Sequence, residues 1–482
     1  MKNTLPLLAV LLLGQVGSLS AEGIAGKRPH IIFILTDDQG YGDVAANGNP
    51  LLKTPQLDRL HREGVRFSDF HVSPTCSPTR SALHTGRHEF KNGVTHTILE
   101  RERLTLDAIT LPQVLKTAGY TAGVFGKWHL GDEDAYQPDR RGYDEVFIHG
   151  AGGIGQHYQG SCGDAPGNTY FSPLIKHNGK FVKTDGYCTD VFFAQALKWI
   201  EGVKDKQPFY AYIATNVPHA PLQVRDEDLA RYKDIAPDLN TARFFGMLAN
   251  LDDNVGRLLA RLKEWGIEQQ TLVVFMNDNG GTAGVKVFNA GMRGTKGQPF
   301  LGGTRASSFW RWPGTLPPAE VKRLAAHIDF FPTIAEIAGA KLPEKAKQQI
   351  EGRSLTPLLE NPAAAWAPRT LFTHLGRWPK DASPETGKYA NCSVRTPDYH
   401  LVCVGPKRAD AQPNQPRWML FDLRSDYGEQ NDIAAENPQI VGEMQDAYEA
   451  WWKSVVPMMV NEKAPLAAEN PFWTLHRKQF GN

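Results

Sequence analysis

Four short runs of branched and aromatic residues, each ending abruptly in polar groups, constrain this chain more than any other feature. His30 to Leu35 reads HIIFIL and is followed by Asp37-Asp38. Residues 121–125 lead into Lys127-Trp128-His129, residues 209–214 precede His219, and residues 271–276 lead into Asn277-Asp278-Asn279-Gly280-Gly281. Short continuous apolar runs suit strands buried on both faces. Helical patterns lie between them. Thr54-Pro55 opens a helix, with threonine as cap and proline in first position, and Gly64 closes it. A long amphipathic helix from about Thr241 to Trp265 carries Phe244, Met247, Leu248, Leu251, Val255, Leu258 and Leu262 on one stripe, and Gly266 ends it. On this reading Asp252 and Asp253 lie on its solvated face. Strands alternating with helices predict an α/β fold built on a large, mostly parallel sheet covered by helices on both faces.

After about Pro368 the pattern changes. Short alternating segments at Cys392–Val394, Tyr399–Val404 and Trp418–Leu423 predict a small C-terminal antiparallel sheet, with a helix from about Pro438 to Trp452 packed on it. At the other end, Lys2 precedes the apolar run Leu5 to Leu13 and the small residues Gly17, Ser18, Ser20 and Ala21. This reads as a cleaved export signal, too short to span a bilayer. The expected organisation is a signal peptide over 1–21, a large N-terminal domain over 22–367 and a small C-terminal subdomain over 368–482. The mature chain is expected to be periplasmic or secreted, without stable membrane insertion.

Lys+Arg is 53 and Asp+Glu is 52, so no net charge asks for nucleic acid as a partner and an anionic substrate must be held by local charge. An exported chain with five cysteines leaves one thiol over. Cys162 with Cys188, and Cys392 with Cys403, are the expected disulfides, which leaves Cys76 alone.

In open α/β sheets ligands bind beyond the carboxyl ends of the strands. If the four runs are parallel neighbours, their ends gather Asp37, Asp38, Asp278, Asn279, Lys127, His129 and His219 on one rim. Three carboxylates and an amide oxygen suit a hard cation, Ca2+ or Mg2+, whereas zinc would want more His or Cys. Cys76-Ser77-Pro78-Thr79-Arg80 leads into a helix, and a helix N-terminus beside an arginine favours an anion next to Cys76.

The pattern Cys76-x-Pro78-x-Arg80, continuing to Thr85-Gly86-Arg87, resembles the signature of type I, formylglycine-dependent sulfatases of the alkaline phosphatase superfamily. Further matching motifs run from Pro29 to about Trp452: Thr36-Asp37-Asp38-Gln39-Gly40, Gly126-Lys127-Trp128-His129, Pro218-His219-Ala220-Pro221, Asn277-Asp278-Asn279-Gly280-Gly281 and Arg293-Gly294-Thr295-Lys296-Gly297. The resemblance implies an alkaline phosphatase-like fold and conversion of Cys76 to formylglycine by a formylglycine-generating maturation enzyme. It implies that Asp37, Asp38, Asp278 and Asn279 hold Ca2+, which also touches the modified Cys76. It gives Lys127 and Lys296 the sulfate oxygens, Arg80 the nucleophile's placement, His219 protonation of the leaving oxygen, and His129 the proton that releases sulfate. Two departures stand out: Thr79 where serine is frequent, and Phe300-Leu301-Gly302-Gly303 after the lysine, which bears on leaving-group preference.

The implied substrate is a sulfate monoester, with a sulfated glycan favoured. A small aryl ester, a phosphonate monoester, and an inactive glycan-binding homologue are the alternatives. The glycine-rich stretch Gly150–Ser172, with Gln156 and His157, and the pair Arg377-Trp378 are the candidate sugar contacts, the latter offering charge beside a ring face. His84, His88, His96, His327 and His400 match no catalytic motif and read as surface, capping or packing residues. Asp329 reads as a turn before a helix, and Trp310 and Trp312 as packing.

Overall fold

The computed structural model describes residues 23–98, 100–158, 160–379, 381–405, 416–461 and 466–481. The expected export signal lies outside them. Among the described residues the main sheet has ten strands, ordered Ala319–Val321, Val65–Phe67, Ser308–Arg311, Thr271–Asn277, His30–Thr36, Phe209–Ala214, Thr121–Lys127, Glu145–His149, Leu174–His177 and Lys180–Lys183. The central block from Thr271–Asn277 through Glu145–His149 is parallel throughout. Ser308–Arg311 runs antiparallel on one side of it, and Leu174–His177 and Lys180–Lys183 form an antiparallel ladder on the other.

The strand His30–Thr36 shows why such runs are apolar throughout. Ile31, Phe33 and Leu35 belong to one core and Ile32 and Ile34 to the other, on opposite faces of the sheet. Phe33 packs on Phe330 of the helix Phe330–Ile337, with ring centres 4.2 Å apart. The opposite face is covered by Cys188–Val203 and by the long helix Leu239–Glu264, capped at its start by Asp238, whose carboxylate accepts from Thr241 N at 2.8 Å.

The long helix corrects one expectation. Asp252 is buried, and its carboxylate accepts from Gln56 N at 3.0 Å and Leu57 N at 2.8 Å, so it caps the neighbouring helix Pro55–Glu63. Thr54, the expected cap, instead donates its hydroxyl to Asp58 Oδ1 at 3.0 Å. The helix has partners on more than one side, so its polar stripe is not all solvated; Asp253 is half-buried and pairs with Arg231 at 2.6 Å.

The small sheet is antiparallel and has four strands, Leu371–His374, Cys392–Arg395, Tyr399–Val404 and Arg417–Asp422, with the helix Pro438–Val455 against it through Tyr448, Trp451 and Trp452. The chain then returns: a further helix, Pro471–Phe480, packs beside the edge strand Lys180–Lys183 of the main sheet. Gln479 holds Phe181 there, accepting from its N–H at 2.9 Å and donating to its carbonyl at 2.6 Å.

The disulfide expectation is also corrected, because all five cysteines are free. Cys392 and Cys403 occupy paired positions across adjacent strands, but as thiols. Cys162 and Cys188 lie apart in environment. The first sits in a loop over a polar cluster, its N–H donating to Glu102 Oε1 at 2.6 Å, and the second opens a helix inside an apolar core.

Candidate active site

The parallel order brings the four rims together. Asp37 and Asp38 follow the strand His30–Thr36, which lies between Phe209–Ala214 and Thr271–Asn277. Gly126 lets the fourth strand approach, since a Cβ there would stand 2.1 Å from the Ala214 carbonyl oxygen. Lys127 then enters the rim and donates to Asp37 Oδ2 at 2.6 Å, both side chains fully buried. Lys296 arrives from a separate loop and pairs with Asp38 Oδ1 at 2.5 Å. Burial opposes its charge, but Asp38 and its neighbours hold its pKa above the ordinary lysine value.

Cys76 is the first residue of the buried helix Cys76–Thr85. One turn on, Arg80 donates to Asp278 Oδ2 at 2.8 and 3.2 Å and to the Lys127 carbonyl at 3.3 Å. Ser77 Oγ donates to the His129 carbonyl at 2.9 Å, tying the helix start to the histidine loop. Burial pushes the Cys76 thiol up, against the pull of Lys127 and Lys296, so it is held as a neutral thiol. Burial, reinforced by Asp37, likewise raises Asp278. Asp38 and His129 both sit in the left-handed backbone region, at φ 69 and 57. Such conformations persist where the surroundings fix them, here through Asp38 N donating to Asp278 Oδ1 at 3.3 Å and His129 Nε2 bonded to the Thr97 carbonyl at 3.2 Å.

The donor set fits a hard cation. Single ligand atoms of Asp37, Cys76 and Asp278 lie within 4.8 Å of one another, as do those of Asp37, Asp38 and His219. Among the described residues Asp37 Oδ1 and Asn279 Oδ1 are buried without a hydrogen-bond partner, and oxygens in that condition are what an oxygen-seeking ion satisfies. Three carboxylates meet Arg80, Lys127 and Lys296, so the cluster is close to neutral before any ligand enters.

Two histidines stand over this floor. His219 Nδ1 bonds the Ala220 carbonyl at 2.6 Å, which leaves Nε2 facing Asp38 Oδ2 at 3.9 Å. Burial lowers its pKa, with Asp38 and Asp37 opposing. In His129 the Thr97 bond places the proton on Nε2 and leaves Nδ1 buried without a partner. Burial, then Lys127 and Arg80, drive its pKa well down. Gly152 and Gly153 make room for both rings: a Cβ on Gly152 would stand 3.1 Å from His129 Cε1, and one on Gly153 3.1 Å from His219 Nδ1.

Above lies a cleft of about 250 Å3, lined among others by Cys76, His96, His129, His219, Lys296 and Arg377. Gln156 lines it as well. Arg377 is exposed at its edge and has no carboxylate partner among the described residues. His157 is exposed and packs against Trp473 with ring centroids 4.5 Å apart, away from the cleft lining. Trp378 is buried, with Arg101 over its ring at 4.3 Å and Phe90 against its edge, and so presents no ring face to the cleft. Two lining residues of chemical interest, Tyr158 and His96, were not singled out in the sequence. Tyr158, about half exposed, offers an aromatic ring at the mouth. His96 is buried in the lining, lowered to about 3 by burial and by Arg377, Arg101 and Lys296. The glycine-rich stretch pointed to the first; no motif marks the second. Trp310 and Trp312 are buried packing residues, and Asp329 accepts from Ala326 N at 2.8 Å and pairs with Arg369 at 2.6 Å.

Comparison with known proteins gives a consistent pattern. The family model described as Sulfatase matches residues 29–340, and that described as N-sulphoglucosamine sulphohydrolase, C-terminal, matches residues 303–451. The mouse (Mus musculus) N-acetylgalactosamine-6-sulfatase is 31% identical, over 93% of this chain and 90% of the relative. Mouse arylsulfatase J is 29% identical, over 94% and 82%. Among solved structures, Ps i-CgsB in complex with k-i-k-neocarrahexaose superposes with a TM-score of 0.75 at 28% identity, covering 94% of this chain and 97% of that one.

Proposed function

The chain belongs to the sulfatase family, whose members hydrolyse sulfuric esters, and we propose that its substrate is an O-sulfate ester on a carbohydrate. The observation that carries this reading is the placement of Cys76 at the cleft floor, between the Asp37/Asp278 carboxylates and the Lys127/Lys296 ammonium groups, beneath two histidines held through opposite ring nitrogens. The cleft mouth supports a sugar over a plain aryl group: Gln156, Arg377 and Tyr158 offer an amide, a guanidinium and a ring face. The names of two relatives point the same way, one being an N-acetylgalactosamine-6-sulfatase and one solved in complex with a neocarrahexaose.

Oxidation of Cys76 to formylglycine would supply a carbonyl whose hydrate is an oxygen nucleophile, which the neutral buried thiol is not. Asp37, Asp38, Asp278 and Asn279 would hold a calcium ion, whose charge would polarise a sulfate oxygen. The chain's own groups do the rest. Lys127 and Lys296 bind sulfate oxygens and stabilise charge in the transition state. Arg80, locked by Asp278, fixes the start of the helix that carries residue 76. His219, whose Nδ1–H is held by the Ala220 carbonyl, must take up a second proton on Nε2, the nitrogen facing Asp38, and as the imidazolium gives it to the leaving sugar oxygen. His129 accepts a proton at Nδ1, the nitrogen left bare by the Thr97 bond. The export signal, the maturation enzyme as partner and the division at residue 367 belong to the same proposal. Among the described residues no helix is long and apolar enough to cross a membrane.

The test is twofold. Peptide mass spectrometry of the fragment containing residue 76, from protein made in its native host, should show the thiol replaced by an aldehyde. The same protein should hydrolyse N-acetylgalactosamine 6-sulfate or a neocarrahexaose with higher kcat/KM than 4-nitrophenyl sulfate, and leave aryl phosphonate esters nearly untouched. An unmodified Cys76 together with inert sugar sulfates would overturn the reading in favour of a glycan-binding homologue.

A further inference from the structure

The helix Pro471–Phe480 lies beyond both family-model matches, which end at residues 340 and 451, yet it reaches the glycine-rich loop of the cleft. Trp473 Nε1 donates to the Asp164 carbonyl at 2.9 Å, and its ring packs against His157, tilted by 31° with centroids 4.5 Å apart. Asn470 donates to Asp132 Oδ2 at 2.9 Å, the same oxygen that accepts from Gly163 N at 2.6 Å. Phe472 is buried against the loop's root, where a Cβ on Gly150 would stand 3.1 Å from its ring. Within the loop one carboxylate gathers the backbone: Asp164 accepts from Gly150 N at 3.0 Å, Gly155 N at 2.8 Å and Asn168 Nδ2 at 2.9 Å. Trp473 and Asn470 therefore hold from outside the hub that folds the loop from inside. That loop carries Gly152 and Gly153, which pass beside the His129 and His219 rings, and Gln156 and Tyr158, which line the mouth.

We infer that the C-terminal helix is a clamp on this loop, with Trp473 and Asn470 as positioning residues that shape the sugar-binding part of the cleft. The contacts fall on 157, 163 and 164, on the outer side of the loop, while the sulfate-binding lysines hang from the main sheet and a separate loop. Loosening the clamp should therefore disturb recognition of the sugar more than handling of the sulfate. This rests on the sulfatase reading for its kinetic part and on geometry alone for its structural part.

The experiment uses the full chain carrying Trp473→Phe, Trp473→Ala or Asn470→Ala. Hydrogen–deuterium exchange should rise across 150–158 and 160–168 in Trp473→Ala and remain at the wild-type level in the strands 30–36 and 271–277. KM for a neocarrahexaose or N-acetylgalactosamine 6-sulfate should rise roughly tenfold, by analogy with small misplacements of binding groups, with kcat/KM on 4-nitrophenyl sulfate within about twofold of wild type. Trp473→Phe keeps the ring and loses only the N–H, so it should fold and show an intermediate change. Unaltered loop exchange would overturn the clamp, and so would an equal loss on sugar and aryl substrates. If the wild type hydrolyses neither ester, the sulfatase reading fails while the exchange comparison still decides the clamp.

Discussion

Arg80 and Asp278 form an ion pair with both side chains fully buried, the guanidinium giving Nη2 and Nε to one carboxylate oxygen at 2.8 and 3.2 Å. The pair joins the helix bearing Cys76 to the strand end bearing Asn279, so it fixes the distance between nucleophile and cation site. Removing one partner strands a charge in the interior, which costs ~3–5 kcal/mol where measured in proteins. Arg80→Ala is expected to lower the denaturation midpoint markedly and abolish turnover. Arg80→Lys, which keeps the charge and loses the two-donor geometry, should recover stability more than activity. Equal recovery of both would remove the positioning role of the guanidinium.

The orphaned oxygens of Asp37 and Asn279 predict that chelation costs stability as well as activity. A ligand bound only by the folded chain stabilises it by about 2.7 kcal/mol at a hundredfold excess over Kd. Adding calcium to chelator-treated protein should therefore raise the melting midpoint with concentration, and Asp38→Asn should weaken that response. Titration calorimetry and thermal scans without any substrate read this out; a midpoint indifferent to calcium and magnesium would reject the site.

Stability is expected to fall as pH rises through the weakly acidic range, in part because of two carboxyls beneath the cleft loop. Burial pushes Glu102 up to about 7 and Asp132 up to about 6. Their unfolded counterparts ionise near ~4, so between ~4 and these values the folded chain holds protons that the unfolded chain has lost. Stability then declines with rising pH across that window and levels off above it. Urea midpoints at pH 5 and 8 should differ in that sense, and Glu102→Gln should flatten the slope. An unchanged slope in the variant would assign the dependence elsewhere.

Gly152→Ala and Gly153→Ala should each lower kcat while the chain still folds. The added methyl groups would stand 3.1 Å from His129 Cε1 and from His219 Nδ1, so each ring must give way by a few tenths of an ångström. Displacing proton-transfer groups by even ~1 Å can cost about a hundredfold in rate, so a loss of roughly tenfold is expected here. Steady-state kinetics beside circular dichroism decides it, and full activity in both variants would show that the histidines tolerate the crowding.

What the sequence determined by itself was everything that repeats along one backbone. Continuous apolar runs marked the strands His30–Thr36, Thr121–Lys127, Phe209–Ala214 and Thr271–Asn277, because a parallel sheet covered on both faces leaves no solvated side to encode. The same rule placed Asp37, Asp38, Lys127, His129, His219, Asp278 and Asn279 on one rim, since polar groups emerge where buried strands end. The outcomes that depended on which distant segments meet were not legible. Asp252 looked solvated on its own helix and is buried as a cap for another. Trp378 looked like a sugar platform beside Arg377 and is turned into the core between the small sheet and its helix. Cys392 and Cys403 were placed as neighbours by their strands and are nonetheless thiols, while Cys162 and Cys188 go to different environments. His96 and Trp473 carry no motif, and only the packing of loop and C-terminal helix brings them to the cleft and its supports. Periodicity is a property of local backbone geometry, whereas pairing between segments hundreds of residues apart is chosen by the packing of the whole chain.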